Sequence, residues 1–144
     1  MSPLAFRTDA EVQTAIPQVV AHLGRGGLLG YPTETVYGLG SRAVAADVAA
    51  LNALKGRAAG KPFLLLVSDR QMAEAQGLAF NAAADALARA FWPGPLTLVL
   101  PGGSGRLPDL LRGPEGGWSP AVWLEPLRPP AGLRAETQAT VRHS

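Results

Sequence analysis

The stretch Tyr31 to Gly40, Y-P-T-E-T-V-Y-G-L-G, is the most informative part of the chain. The short apolar segment Gly27 to Tyr31 predicts a buried strand that ends at Pro32. Three hydroxyls and one carboxylate then follow, and Gly38 and Gly40 permit tight backbone turns. Strand ends of this kind often carry ligand sites. A polar turn whose threonines bond the local backbone fits the same residues equally well.

Strands and helices alternate on both sides of this stretch. Two further strands are predicted over Phe63 to Val67 and Leu96 to Leu100. The predicted helices are an amphipathic one after the capping box at Thr8, one over Ala46 to Lys55, and an alanine-rich one from Asn81 to about Trp92. Pro17 interrupts the first helix, which is expected to kink there or to begin later with Thr14 as its N-cap. The alternation predicts an α/β or mixed layered domain with helices on a twisted sheet.

Length and composition exclude several classes of protein. A chain of 144 residues with 47% hydrophobic content accommodates one core. No cysteine and only two histidines exclude a thiolate or imidazole metal site and a disulfide framework, so no protein-bound metal is expected. His22 is expected to be a packed or capping residue. No membrane span or signal peptide is indicated, which predicts a cytoplasmic protein.

Basic residues cluster after the second predicted helix. Lys55, Arg57 and Lys61 lie within seven residues, separated by glycines, and can close around a polyphosphate. The alternative is a helix C-terminus whose cations stabilise the macrodipole. Eleven of the thirteen basic residues are arginine, a side chain that favours phosphate and carboxylate partners.

Four segments in this order resemble the YrdC-like family of threonylcarbamoyl-AMP synthases. They are Y-P-T-E-T-V-Y-G-L-G at Tyr31, K-G-R at Lys55, K-P at Lys61, and F-W-P-G-P-L-T at Phe91, the last of which is otherwise read as structural. The resemblance implies an α/β fold, a YrdC-like twisted open mixed sheet with flanking helices around an electropositive cavity. It also implies synthesis of threonylcarbamoyl-AMP and pyrophosphate from L-threonine, bicarbonate and ATP with Mg²⁺. Partner transferase proteins then modify tRNA.

The site residues implied by the resemblance fall into two groups. Thr33, with Thr35 beside it, would contact L-threonine. Lys55 and Arg57 would be catalytic, binding the ATP phosphates and the developing pyrophosphate, and Lys61 would add to the positive field. Many members carry a histidine where this chain has Leu66, so one possible threonine contact is missing.

The resemblance ends near Gly117, which predicts a YrdC-like domain over residues 1–117 and an irregular, non-matching tail over 118–144. The family's P-S-A-N segment completes the nucleotide site, yet no S-x-N occurs in this chain. Thirteen glycines and prolines fall within residues 102–144, a composition typical of irregular chain. A truncated or frame-shifted gene product is therefore expected, and Val141-Arg142 looks too short to replace the missing strand.

Two other functions remain open. The chain can be a non-catalytic module that binds tRNA or double-stranded RNA, or a truncated inactive remnant. A carbamoyl-handling domain cut from a hydrogenase-maturation protein is disfavoured, because zinc-finger cysteines are absent. Unpaired sheet edges left by lost strands would favour association, so a homodimer is plausible.

Overall fold

The computed structural model describes residues 3–5, 7–32, 37–56, 61–102, 105–113, 117–122 and 140–141. Helix α1 spans Asp9–Gly24, with Thr8 and Glu11 forming the expected reciprocal capping box. Pro17 lies inside this helix, and the Thr14 hydroxyl bonds the Ala10 carbonyl at 2.9 Å. The predicted alternative of a later helix start at Thr14 is therefore wrong, because the capping box fixes the beginning at Thr8.

A two-stranded antiparallel hairpin follows α1. Strand β1 is Leu29–Pro32 and strand β2 is Tyr37–Gly40, with Leu29 opposite Gly40 and Pro32 opposite Tyr37. The tight turns that Gly38 and Gly40 permit are not formed, because both glycines lie in β2 and neither has a positive φ.

Helix α2, Ala45–Lys55, confirms the second predicted helix. Its Val48 and Leu51 are fully buried, whereas Leu54 is exposed. Helix α4, Ala82–Phe91, confirms the third helix, and the Asn81 side chain caps it by accepting from the Ala84 N–H at 2.8 Å. Between these two, α3 (Arg70–Ala75) was not predicted; at six residues it is too short to show a helical period.

The main sheet has four strands within the described residues. Strands β3 (Leu64–Leu66) and β4 (Thr97–Pro101) confirm the second and third predicted strands. Strand β5 (Trp118–Val122) lies between them, antiparallel to β4 and parallel to β3, and β6 (Thr140–Val141) pairs antiparallel with the other edge of β3. The sheet is mixed and open, as the resemblance implied.

Strands β5 and β6 correct the expectation for the end of the chain. Residues 118–122 are not irregular but form a central strand, and Thr140–Val141 does pair with the sheet. Backbone pairing on both sides of β5 overrides a local sequence that contains Pro120. The domain boundary at residue 117 stays a prediction.

The sheet separates two apolar clusters. Successive strand residues point to opposite faces, so Leu65 enters the main core together with Leu98 and Ala121, which are aligned with it across the strands. Leu66 faces the other side and packs with Tyr31 of the hairpin. Helices α2 and α4 cover the main core through their buried Val48, Leu51 and Ala88. No helix within the described residues is long and apolar enough to cross a membrane.

Candidate active site

The β1–β2 hairpin carries the first group of predicted site residues. Its last backbone pair is Pro32 with Tyr37, and residues 33–36 join them. Thr33 and Thr35 lie outside the described residues, so their contact with L-threonine stays a prediction. The hairpin strands on either side of them are paired in register over four residues each.

Tyr31 fixes the geometry of this hairpin. Its side chain is 7% exposed and packs in the cluster with Leu66, flanked by Leu29 and Leu64. Across the hairpin, a Cβ added to Gly38 would lie 2.9 Å from Cζ of the Tyr31 ring, closer than real Cβ contacts allow. Gly38 therefore leaves room for the ring rather than for a turn.

The Tyr31 hydroxyl has an unusual environment. It is buried and makes no hydrogen bond within the part of the chain that the structure describes. Burial raises the pKa of this phenol far above its usual value, because the charged phenolate would lose its hydration. Sequence analysis did not single out Tyr31; the aromatic residue at the end of an apolar strand, with Gly38 in the same motif, was the available signal.

The second group of predicted residues lies at the end of α2. Lys55 is partly buried in the last turn of the helix, and Gly56 follows in the left-handed conformation (φ 56°, ψ 34°), with its N–H bonded to the Ala53 carbonyl at 3.2 Å. The position agrees with both interpretations of Lys55, since a cation there also interacts favourably with the macrodipole. Arg57 lies outside the described residues, and its phosphate contact stays a prediction.

Lys61 lies three residues before β3 and is exposed. Within the described residues it makes no ion pair. The neighbouring Phe63 is fully buried, and its N–H bonds the Leu110 carbonyl at 2.9 Å, which anchors the backbone on the core side of Lys61. This lysine is thus a solvated cation on a fixed backbone.

Arg42 and Asp47 form an ion pair that sequence analysis did not reveal. Along the chain, the pair lies between the predicted residues of the hairpin and those at the end of α2. Arg42 Nε lies 2.7 Å from Asp47 Oδ2, and Asp47, in the first turn of α2, is almost completely buried. Gly26, with a φ of +81°, lies beneath the carboxylate: an added Cβ would be 3.2 Å from Asp47 Oδ1. The pair therefore ties the junction of β2 and α2 to the turn after α1.

Other arginines are already engaged with carboxylates. Arg70 pairs with Glu74 and Asp85, Arg89 pairs with Asp85, and Arg112 pairs with Asp109. The abundance of arginine therefore does not by itself measure the strength of an anion site. The electropositive cavity stays a prediction. In the described part of the chain, no three side chains of His, Asp or Glu come close enough to hold a metal ion.

His22 and Trp92 are structural, in agreement with the sequence interpretation. The His22 Nε2 atom lies 2.8 Å from the Leu28 carbonyl oxygen, which connects α1 to the start of the hairpin. Trp92 is buried, donates from Nε1 to the Leu96 carbonyl at 2.7 Å, and meets Phe80 edge to face. Phe91, next to it, is exposed.

Comparison with known proteins identifies relatives of this arrangement. The sequence model of the Sua5/YciO/YrdC family, described as telomere recombination, matches residues 21–118. A threonylcarbamoyl-AMP synthase of Thiobacillus denitrificans is 41% identical over 120 residues, covering 83% of this chain and 62% of the relative. The chain spans 23% to 62% of the length of the curated relatives it matches.

Two solved structures superpose on nearly the whole length of this chain. A Pyrococcus abyssi Sua5 variant superposes with a TM-score of 0.82 at 28% identity, covering 99% of this chain and 41% of that one. P. abyssi Sua5 complexed with L-threonine superposes with a TM-score of 0.76 at 27% identity, covering 96% and 39%. These likenesses extend beyond the matched motifs to the strands formed late in the chain.

Proposed function

The chain belongs to the Sua5/YciO/YrdC family, and from that membership we propose that it joins L-threonine, bicarbonate and ATP into threonylcarbamoyl-AMP and pyrophosphate. The observation that carries the proposal is the structural match to P. abyssi Sua5 complexed with L-threonine, which extends over 96% of this chain. Curated relatives named threonylcarbamoyl-AMP synthase, about 40% identical, support the same ATP-dependent transferase activity.

The chemistry requires positioned cations more than it requires a nucleophilic side chain. The threonine amine condenses with bicarbonate to a carbamate with loss of one water molecule, and a carbamate oxygen then attacks the α-phosphorus of ATP. The bond from the α-phosphorus to the bridging oxygen breaks, and pyrophosphate leaves with that electron pair. Two anionic groups are brought together and the leaving group gains charge, so fixed positive groups stabilise the transition state. The absence of cysteine is compatible with this reaction because no covalent intermediate is needed.

Each predicted residue has a role in that reaction. Thr33 and Thr35, at the connection of β1 and β2, bind the threonine. Lys55 and Arg57 bind the ATP phosphates and the departing pyrophosphate, and Lys61 adds positive charge from the segment before β3. The left-handed turn at Gly56 supports this assignment, because it redirects the chain immediately after Lys55. Mg²⁺ enters as part of the Mg–ATP substrate.

The product determines which partners are needed. Threonylcarbamoyl-AMP is a mixed anhydride that a transferase protein must consume, and in this family the acceptor is an adenosine in tRNA. We place this activity in the cytoplasm, where tRNA is modified. A homodimer remains part of the proposal, because β4 and β6 form the two edges of the main sheet.

Pyrophosphate release tests the reaction. Purified protein given bicarbonate, Mg²⁺ and ATP should release pyrophosphate only when L-threonine is also present. Lys55→Ala and Arg57→Ala should each reduce this rate by at least about 100-fold, since each removes a charge that acts on the transition state. Arg89→Ala is the matched control: this arginine is exposed on α4 and paired with Asp85, so the rate should be unchanged.

The same purified protein also distinguishes the synthase from the alternative of an RNA-binding module. No threonine-dependent pyrophosphate, combined with salt-sensitive binding to double-stranded RNA, would replace the synthase with a binding module. Neither activity would identify the chain as an inactive remnant.

A further inference from the structure

Two hydroxyl groups among the described residues are buried without a hydrogen-bond partner. They belong to Tyr31 and Ser119. Such a group destabilises the folded state because it gives up its bonds to water and gains none in return. Native proteins keep few of them, so each one needs an explanation.

The two hydroxyls lie in different environments. Ser119 is on β5 opposite Leu100, in a strand paired on both sides, on the main-core face of the sheet. Tyr31 lies on the other side of the sheet, next to Leu66, at the end of the strand that leads through Pro32 into Thr33. The first lies within the main core; the second belongs to a residue two positions before Thr33, which is proposed to bind the substrate.

The surroundings of Tyr31 define what its hydroxyl can do. Leu29, Leu64 and Leu66 have no polar side-chain atoms, and Gly38 lies against the ring. Because burial keeps the phenol neutral, the hydroxyl retains its proton. It is therefore a buried hydrogen-bond donor beside apolar side chains, where a bond to an anionic oxygen is stronger than in water.

We propose that the Tyr31 hydroxyl is a substrate-binding group that donates a hydrogen bond to an anionic oxygen of the bound amino acid. The proposal rests on the proposed function and adds a residue to its threonine site. The hydroxyl is enclosed in the free protein, so substrate reaches it only when the hairpin shifts locally. The hydroxyl is then unpaired in the free protein, and the bound substrate supplies its hydrogen-bond partner.

Calorimetric titration with L-threonine and thermal unfolding of the full chain test the proposal together. Tyr31→Phe keeps the ring over Gly38 and removes only the hydroxyl. The variant should unfold about 2–4 °C higher, because an unpaired polar atom is lost. Its Kd for L-threonine should nevertheless rise about 10-fold, the loss expected for one hydrogen bond.

Ser119→Ala is the matched control. It removes the other unpaired hydroxyl, so it should also raise the unfolding temperature, but it should leave the Kd for L-threonine unchanged. The expected result is that Ser119→Ala gains stability only, whereas Tyr31→Phe gains stability and binds L-threonine more weakly. This difference would show that the Tyr31 hydroxyl contacts the ligand and that the Ser119 hydroxyl does not.

Two results would overturn the proposal while leaving the proposed function intact. The first is a Tyr31→Phe variant that binds L-threonine as tightly as the original chain. The second is a variant that loses stability, because the hydroxyl would then have a structural partner. If the original chain itself binds no L-threonine, the proposed function fails, and this proposal fails with it.

Discussion

The ring of Tyr31 lies directly against the Cα of Gly38, its partner across the β1–β2 hairpin. No side chain fits at position 38 without moving the ring, since a Cβ there would be 2.9 Å from Cζ. The backbone that carries the predicted threonine site is therefore held by an aromatic residue packed on a glycine.

Gly38→Ala should destabilise the protein by about 1–3 kcal/mol, because the added methyl group forces the Tyr31 ring out of its place between Gly38 and the leucines. Urea unfolding measures the change. Gly30→Ala is a matched control in the same hairpin: its Cβ would lie 3.8 Å from the Leu39 side chain, an ordinary contact. Equal losses for the two variants would show that the ring does not restrict position 38.

Stability should depend on Tyr31 at alkaline pH. The pKa of this phenol is raised above its value of about 10 in the unfolded chain, so above that pH the folded state holds more protons than the unfolded state. Its contribution is fully present below about pH 10 and is lost as pH rises toward the folded value. Between pH 9 and pH 11, the free energy of unfolding should therefore fall less in Tyr31→Phe than in the original chain. Parallel curves for the two proteins would contradict this.

Gly27→Ala should break the contact between α1 and the hairpin. An added Cβ would lie 2.3 Å from His22 Nε2, so the imidazole must move and lose its bond to the Leu28 carbonyl. A loss of about 1–2 kcal/mol is expected in urea unfolding. By contrast, Gly24→Ala meets no atom within 4 Å at the end of α1 and should stabilise by about 0.5–1 kcal/mol. A neutral Gly27→Ala would show that the imidazole has room to move.

The Arg42–Asp47 pair should matter more than an exposed ion pair. Arg42→Ala leaves the almost completely buried Asp47 carboxylate without its 2.7 Å partner, which should cost about 1–3 kcal/mol of folding stability. Arg89→Ala, which breaks an exposed pair one helical turn apart, should cost less than about 0.5 kcal/mol. Chemical denaturation of the two variants gives the comparison. If Arg42→Ala were as mild as Arg89→Ala, the pair would not support the site.

Local signals predicted the features that depend on neighbouring residues. The N-caps at Thr8 and Asn81 were predictable because a cap is formed within three residues of the chain. Strand β2 was missed because Y-G-L-G has little strand propensity of its own and becomes a strand by pairing with β1. Strand β5 was missed for a similar reason: Pro120 argues against a central strand, and only β3 and β4 on its two sides hold it there.

The sequence by itself determined the family, through the spacing of Tyr31 to Gly40, Lys55 to Arg57 and the Phe91 segment. It also determined that Leu65 and Leu66 are buried, because exposing either face of an uninterrupted apolar strand to water is unfavourable. Only the tertiary structure decided that Leu65 enters the main core while Leu66 meets Tyr31. That division depends on strand register and on contacts between distant segments, which residue spacing alone does not specify.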